Sequence, residues 1–195
     1  MEKIAQIDRS ALLFLNHLHN SFFDFIFYWA SNRLVWIPLY AFLAILIYRK
    51  YPHRFFRILL AIAVLITLSD QLSSSVIKIL VMRLRPCHDP VISADVHLVY
   101  GYCGGLYGFV SSHASNSFAL TVFIWLLMGR SNRSLMILLF AWTMLVSYSR
   151  IYLGAHFPGD VLCGMALGGI LAFLIFRLLQ FIESRLLPVR SIQNS

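Results

Sequence analysis

The stretch Ser149-Arg150-Ile151-Tyr152-Leu153-Gly154-Ala155-His156-Phe157-Pro158-Gly159-Asp160 places a cation, an imidazole and a carboxylate between two long apolar runs. His156 and Asp160 are four residues apart, so a helix starting near Pro158 lets the carboxylate reach back to the imidazole and fix its tautomer. An imidazole held in that way is a nucleophile or a base. Arg150, at the end of the preceding run, offers a fixed planar charge suited to phosphate or carboxylate oxygens. Taken alone, the stretch fits equally well a loop histidine beside a helix-capping aspartate. The flanking chain has to decide.

Those flanks belong to a membrane protein. Of 195 residues, 59% are apolar and only 12% charged, with a mean hydropathy of +0.76. A soluble domain carries about 25% charged residues. The length suits one bundle of a few spans. The net charge of +8 would suggest nucleic acid in a soluble chain. Here the cations lie in short connections instead: Arg49, Lys50, Arg54 and Arg57 in one, Arg130 and Arg133 in another, and Arg177, Arg185 and Arg190 after the last apolar run. That is the pattern of cytoplasmic flanks. No continuous basic face with base-contacting groups is visible, which excludes a nucleic-acid reader.

Residues 1–33 carry no signal-peptide pattern, since Asn16, His17, His19, Asn20 and Asp24 interrupt any apolar core. Ile4, Ile7, Ala11, Leu12, Leu15 and Leu18 recur at helical spacing, so an amphipathic helix in the membrane interface is expected. The aromatic cluster from Phe22 to Trp29 reads as an interfacial anchor, the alternative being a distorted first span through residues 12–31. Five apolar runs follow: Leu34 to Tyr48, Phe55 to about Val81, Ser111 to Met128, Leu135 to Leu153, and Gly159 to about Leu179. The expected fold is therefore an all-α integral membrane bundle of about five transmembrane helices, possibly six, behind an interfacial N-terminal segment. Its divisions are 1–33, a transmembrane core over 34–182 with an outer loop at 86–108, and a cytoplasmic tail over 183–195 that looks disordered after Pro188.

The polar residues of the runs gather at one end. The second run carries Asp70, Gln71, Ser73, Ser74, Ser75 and Lys78 in its second half, and helical angles put Gln71, Ser74, Ser75, Lys78 and Arg85 on one stripe. The first run ends in basic residues, which places that end inside. Counting spans from there puts Lys78 and Arg85, then Ser111, Ser112 and His113, then Arg150, His156 and Asp160 at the same outer face. Three cations and two histidines at one interfacial depth describe a receptor for a multiply charged oxyanion, phosphate above all. Phosphoryl transfer needs mainly positioning and charge stabilisation, together with an attacking group and a proton for the leaving oxygen.

Lys78, six residues, Arg85-Pro86; Ser111-Ser112-His113; and Ser149-Arg150, five residues, His156, three residues, Asp160 together resemble the tripartite signature of the type 2 phosphatidate phosphatase family. That family groups with the vanadium haloperoxidases and bacterial acid phosphatases, and the resemblance covers roughly residues 55–180. It implies a bacterial membrane lipid phosphatase, without metal or other cofactor; the arginines in the connections at the opposite face place the site toward the periplasm, in the inner membrane. By position it implies His156 as nucleophile forming a phosphohistidine, Asp160 as its orienting partner and His113 as general acid. Lys78, Arg85, Ser111, the Ser112 amide and Arg150 would hold the phosphoryl oxygens. The implied substrates are undecaprenyl diphosphate, phosphatidylglycerophosphate or phosphatidate, and the phosphates of lipid A. A lipid phosphotransferase and a catalytically silent lipid-binding protein are the alternatives. The middle motif departs from the family's Pro-Ser-Gly-His: Ser112 stands where a glycine eases backbone approach to phosphate. Altered affinity or selectivity is the expected consequence.

Other features have plain readings. Cys87 and Cys103 share the outer loop and either form a disulfide or remain thiols; with His88 and His97 they make no zinc pattern. The loop histidines read as solvated, and Cys163 reads as a small packing residue inside a span. Asp70 reads as a paired structural group. Gly164 and Gly168, four apart, serve either dimerisation or close packing within one bundle. Tyr100, Tyr102 and Tyr107 either line the pocket mouth or pack at the interface. Transport of an anion is disfavoured because the inner halves of the spans, such as Leu120 to Met128, are almost wholly apolar.

Overall fold

The computed structural model describes residues 2–129 and 132–186, whose regular elements are all helical, with one isolated antiparallel bridge, Leu84 to Tyr107. Arg130, Arg190 and the stretch after Pro188 lie outside the described residues. Helix α1 spans Glu2–Asn16 and α2 Ser21–Ala30. A short 3-10 turn, Arg33–Trp36, leads into α3, Ile37–Lys50. Helix α4, Phe55–Gln71, continues through a π-helical segment, Leu72–Ile77, into α5, Lys78–Val81. After the outer loop come α6, Ser112–Met128, α7, Arg133–Tyr152, and α8, Pro158–Leu186.

Three of these pieces are long and apolar enough to cross a membrane: Pro52–Val81, Arg133–Tyr152 and Pro158–Arg185. α2 and the Arg33–Lys50 segment pass the same test together, bent by 68°, and the apolar α6 is shorter, at 17 residues. The chain is thus an all-α integral membrane bundle. The aromatic stretch from Phe22 to Trp29 lies in α2, the first arm of the bent pair. Asn32 makes the bend, its side chain accepting from the Leu34 amide at 3.0 Å and starting a new turn where α2 has ended.

Close approach of α6 and α8 forms the centre. A Cβ at Gly164 would lie 2.5 Å from the Ser111 carbonyl oxygen, and one at Gly168 only 2.2 Å from that of Ser115. Both glycines therefore serve packing inside the bundle. Their face is the packed one, which leaves Cys163, expected to pack, exposed on the neighbouring face of α8. Around this pair Leu65, Phe123, Leu139 and Ala172 are wholly buried. Hydroxyl pairs cross between helices at membrane depth: Ser69 to Ser115 at 2.7 Å and Thr121 to Thr143 at 2.8 Å. Leu162, Ile170, Phe173 and Leu174 of α8 face outward, as lipid-facing positions do.

The two ends of the bundle differ. At one, the α3–α4 turn is tied to the ends of α6 and α8: the Tyr51 hydroxyl donates to the Leu127 carbonyl at 2.8 Å, and Arg54 pairs with Glu183. α8 therefore continues past residue 182, the limit expected for the core. At the other end, α1 and the outer loop cover the bundle. Leu12 is fully buried, and Asn16 donates to the carbonyls of His97 and Tyr152 at 3.0 and 2.7 Å. Cys87 and Cys103 are joined in a disulfide. The loop histidines are not simply solvated: His97 stacks on His19 with ring centres 3.7 Å apart and contacts the Asp24 carboxylate at 3.2 Å. The charges of the N-terminal segment draw the loop down onto it.

Candidate active site

The hairpin between α7 and α8 is built around Gly154, whose φ of +64° is a left-handed conformation that other residues resist. A Cβ there would also meet Val96 Cγ1 at 2.5 Å. The turn buries His156, 2% exposed, directly before α8. Pro158 pre-sets the first helical φ, and Asp160 accepts from the Phe157 amide at 3.0 Å, the reach of a capping box. Asp160 therefore does cap the helix, and it also lies 3.8 Å from His156 Nδ1, beyond direct hydrogen-bond range. Its Oδ1 takes a hydrogen bond of 2.6 Å from Arg83. His156 Nδ1 has no hydrogen-bond partner among the described residues. Burial first, then the charges of Arg150, Arg85 and Lys78, lower its pKa well below the ordinary histidine value.

The cations arrive from three directions. Lys78 follows the π segment, its Nζ 3.5 Å from Ser112 Oγ. Arg85 is not on a helical stripe as expected: Met82, at φ +50°, ends the helix, and Arg85 enters from the loop. Its Nε donates to the Tyr107 carbonyl at 3.2 Å and its Nη1 to that of Ala155 at 3.3 Å. The π segment also changes the helical phase, so that Ser75 is exposed and Asp70 faces inward with Gln71 and Lys78. Asp70 is paired, accepting from Asn116 Nδ2 at 3.2 Å. Arg150, 3% exposed, donates to Ser31 Oγ at the bend after α2.

Helix α6 starts at the same place. Its N-cap is Ser111, fully buried, whose hydroxyl accepts from the Ala114 amide at 3.5 Å and whose own amide donates to the Asp160 carbonyl at 3.0 Å. That hydroxyl is occupied by the cap and lies off the cavity wall. Ser112 and His113 line the cavity, and first-turn amides of a helix lack intrahelical acceptors.

Lys78, Arg85, Ser112, His113, Arg150 and His156 all border a single cavity of about 770 Å³. Asp160 and Ser111 stand immediately behind. Below this polar end the walls turn apolar: Leu43, Ala44 and Ile47 of α3, Leu59 and Ile62 of α4, Leu120 and Ile124 of α6. Along α6 the cavity descends from His113 to Ile124, about 16 Å at the helical rise. Several wall residues are not legible as site residues in the sequence, among them Ser31, Arg33 and Tyr40 near the α2–α3 bend, and Asn116. Nor is Arg83, behind the wall, although it stands two places before Arg85. Tyr102, by contrast, does line the mouth. Among the described residues one cluster could ligate a metal, Cys87, His88 and Cys103, and its two cysteines are already joined to each other.

Such a centre can hold an oxyanion with several charges, attack it with a ring nitrogen, and do so where an apolar appendage has room. Fold and site together define an integral-membrane helix bundle with a cationic, histidine-bearing centre at one end of its spans. The family model of the PAP2 superfamily matches residues 54–183, and the chain belongs to that superfamily. It is 36% identical over 188 residues to a lipid A 4'-phosphatase of Bacteroides thetaiotaomicron, covering 95% of this chain and 83% of that protein. It is 35% identical over 191 residues to a lipid A 4'-phosphatase of Porphyromonas gingivalis, covering 95% and 78%. Two solved structures share the fold. Aquifex aeolicus LpxE matches with a TM-score of 0.63 at 22% identity, over 86% of this chain and 93% of that one. A transmembrane PAP2-type phosphatidylglycerolphosphate phosphatase from Bacillus subtilis matches with a TM-score of 0.68 at 19% identity, over 97% and 90%. The chain is a membrane lipid phosphatase of the PAP2 type.

Proposed function

We propose that the chain removes the 4'-phosphate of lipid A at the periplasmic face of the inner membrane. The observation that carries this reading is the single cavity in which three cations and two histidines meet an apolar channel. A phosphorylated amphiphile fits it, with the phosphoryl group at the polar end and a tail below. The two relatives named lipid A 4'-phosphatase support lipid A as the substrate, since each matches 95% of this chain. The facing rests on the basic α3–α4 turn, with Arg49, Lys50, Arg54 and Arg57 at the end opposite the site.

The reaction gives each residue one role. A His156 ring nitrogen attacks phosphorus, a P–N bond forms, and the P–O bond to the sugar breaks. His113 delivers a proton to the departing sugar oxygen. Water then attacks the phosphohistidine and gives its proton to His113, and the P–N bond breaks to release inorganic phosphate. Lys78, Arg85 and Arg150 balance the charge of the phosphoryl oxygens, assisted by the amides of Ser112 and His113 at the positive end of α6. The low pKa of His156 keeps the ring unprotonated and ready to attack at neutral pH. Asp160 faces the ring and supports the positive charge that phosphorylation creates.

The test is phosphate release by detergent-purified protein, with a chelator present, from lipid A, phosphatidylglycerophosphate, phosphatidate and undecaprenyl diphosphate, alongside His156→Ala. Chelator-resistant release from lipid A that the variant loses is the expected result. Preference for another lipid would overturn the substrate, and full activity in His156→Ala would overturn the mechanism. Transfer of the phosphoryl group to an added lipid or sugar acceptor, in place of release, would identify a phosphotransferase.

A further inference from the structure

Arg83 sits in the short connection between α5 and the outer loop, and the reaction as written gives it no role. Its guanidinium joins two carboxylates: Nη1 donates to Asp160 Oδ1 and Nη2 to Asp8 Oδ2, each at 2.6 Å. The group also lies 4.2 Å from the centre of the Phe157 ring. Asp8 closes the circuit, because its Oδ1 accepts from the Gly159 amide at 2.8 Å, next to Asp160 itself. A Cβ at Gly159 would stand 2.8 Å from Asp8 Oδ2, so the glycine leaves room for the Asp8 carboxylate in this position. Asp160 is wholly buried, with Oδ1 taken by Arg83 and Oδ2 by the Phe157 amide. The oxygen that faces His156 Nδ1, at 3.8 Å, is Oδ2.

We propose that Arg83 and Asp8 are positioning residues for the phosphatase reaction, acting through Asp160 on the ring of His156. This rests on His156 being the nucleophile. With one donor on each oxygen, the Asp160 carboxylate is fixed in rotation, and the oxygen turned toward the imidazole stays there. A buried carboxylate stripped of its cation would lose both its charge balance and that orientation. Asp8 in turn holds the guanidinium and the first turn of α8 in one contact. Helix α1, far from the family signature in sequence, is by this route part of the catalytic apparatus.

The test uses the full chain purified in detergent, with phosphate release from lipid A and competitive inhibition by inorganic phosphate measured for each variant. Arg83→Gln lowers kcat about 10- to 100-fold, the range seen when the partner of a catalytic ligand is removed, and leaves KM within about threefold. Arg83→Lys recovers part of the loss. Asp8→Asn lowers kcat in the same sense, and the double variant is no slower than Arg83→Gln by more than about twofold, because the two act as a unit. The inhibition constant for phosphate, which reports on Lys78, Arg85 and Arg150, stays at its wild-type value. Wild-type kcat in Arg83→Gln would overturn the proposal, as would independent, multiplicative losses in the double variant. Loss of phosphate inhibition together with turnover would also overturn it, since Arg83 would then merely hold the fold. An inactive wild type, or an active His156→Ala, would instead remove the reading on which the proposal rests.

Discussion

His156 shows what a residue's surroundings do to its chemistry. Burial and three neighbouring cations hold its pKa well below the ordinary value near 6.5. The folded chain therefore declines a proton that the unfolded chain accepts, so stability is lost as pH falls below about 6.5 and is unaffected above it. Thermal unfolding in detergent between pH 7.5 and 5 should show this loss, and His156→Gln should lessen it; an unchanged slope would count against a buried neutral imidazole. Lys78→Ala and Arg150→Ala should each lower kcat/KM about 10²- to 10³-fold, as expected when a preorganised charge aimed at the reacting group is removed. Ser112→Gly deletes the hydroxyl 3.5 Å from Lys78 Nζ but keeps the amide, so turnover should persist with KM shifted. Lost turnover would make that hydroxyl essential. Lys78, Arg85, His113, Arg150 and His156 are legible in the sequence because their types and spacing fit phosphoryl chemistry. Ser31, Arg33 and Arg83 are not, because an arginine or serine in a connection is ordinary and only the three-dimensional neighbours give it a function.

At the scale of elements, the site depends on backbone approaches that allow no side chain. Gly154→Ala would force a Cβ into Val96 at a left-handed φ, and Gly164→Ala would drive one into the Ser111 carbonyl. Each should destabilise by about 1–3 kcal/mol, the usual cost of overpacking, and Gly164→Ala should also depress kcat because Ser111 bonds the Asp160 backbone. A Gly164→Ala protein with wild-type unfolding temperature would show that α6 and α8 can separate freely. Helix limits are readable from hydropathy to within a few residues, as with α6 and α7. The π segment and the break at Met82 are not, since nothing in Leu72–Ile77 distinguishes a widened turn from an α-helical one. That is why regular helical angles put Ser75 on the inner stripe, whereas it is exposed. The bend between α2 and α3 is hidden for a related reason: polar residues from Asn16 to Asp24 look unsuited to a span, and only the fold shows Asn16 buried against the outer loop while His17, His19 and Asn20 stay exposed before α2 begins.

For the whole molecule, the proposed sidedness gives a direct measurement. With Cys163 replaced by serine, a cysteine at His53 in the α3–α4 turn should be labelled only from the cytoplasm, and one at Val91 in the outer loop only from the periplasm. The reverse pattern would invert the site. The hydropathy profile makes the bundle readable at this scale, and span counting alone brings the polar residues to one end. What it leaves open is which helices touch, because a lipid-facing leucine and a buried one are the same letter.

The cavity joins two kinds of wall. The residues proposed to hold phosphate belong to α5, the outer loop, α6 and α7, whereas Trp36, Tyr40, Leu43, Ala44 and Ile47 come from the 3-10 turn and α3, which bears none of them. Substitutions in that segment can reshape the space for a lipid's body and chains without disturbing any group that meets phosphorus. A chain arranged this way is evolvable: its hydrolytic engine can be inherited intact while one helix is free to drift, and new lipid preferences can arise by ordinary point mutation.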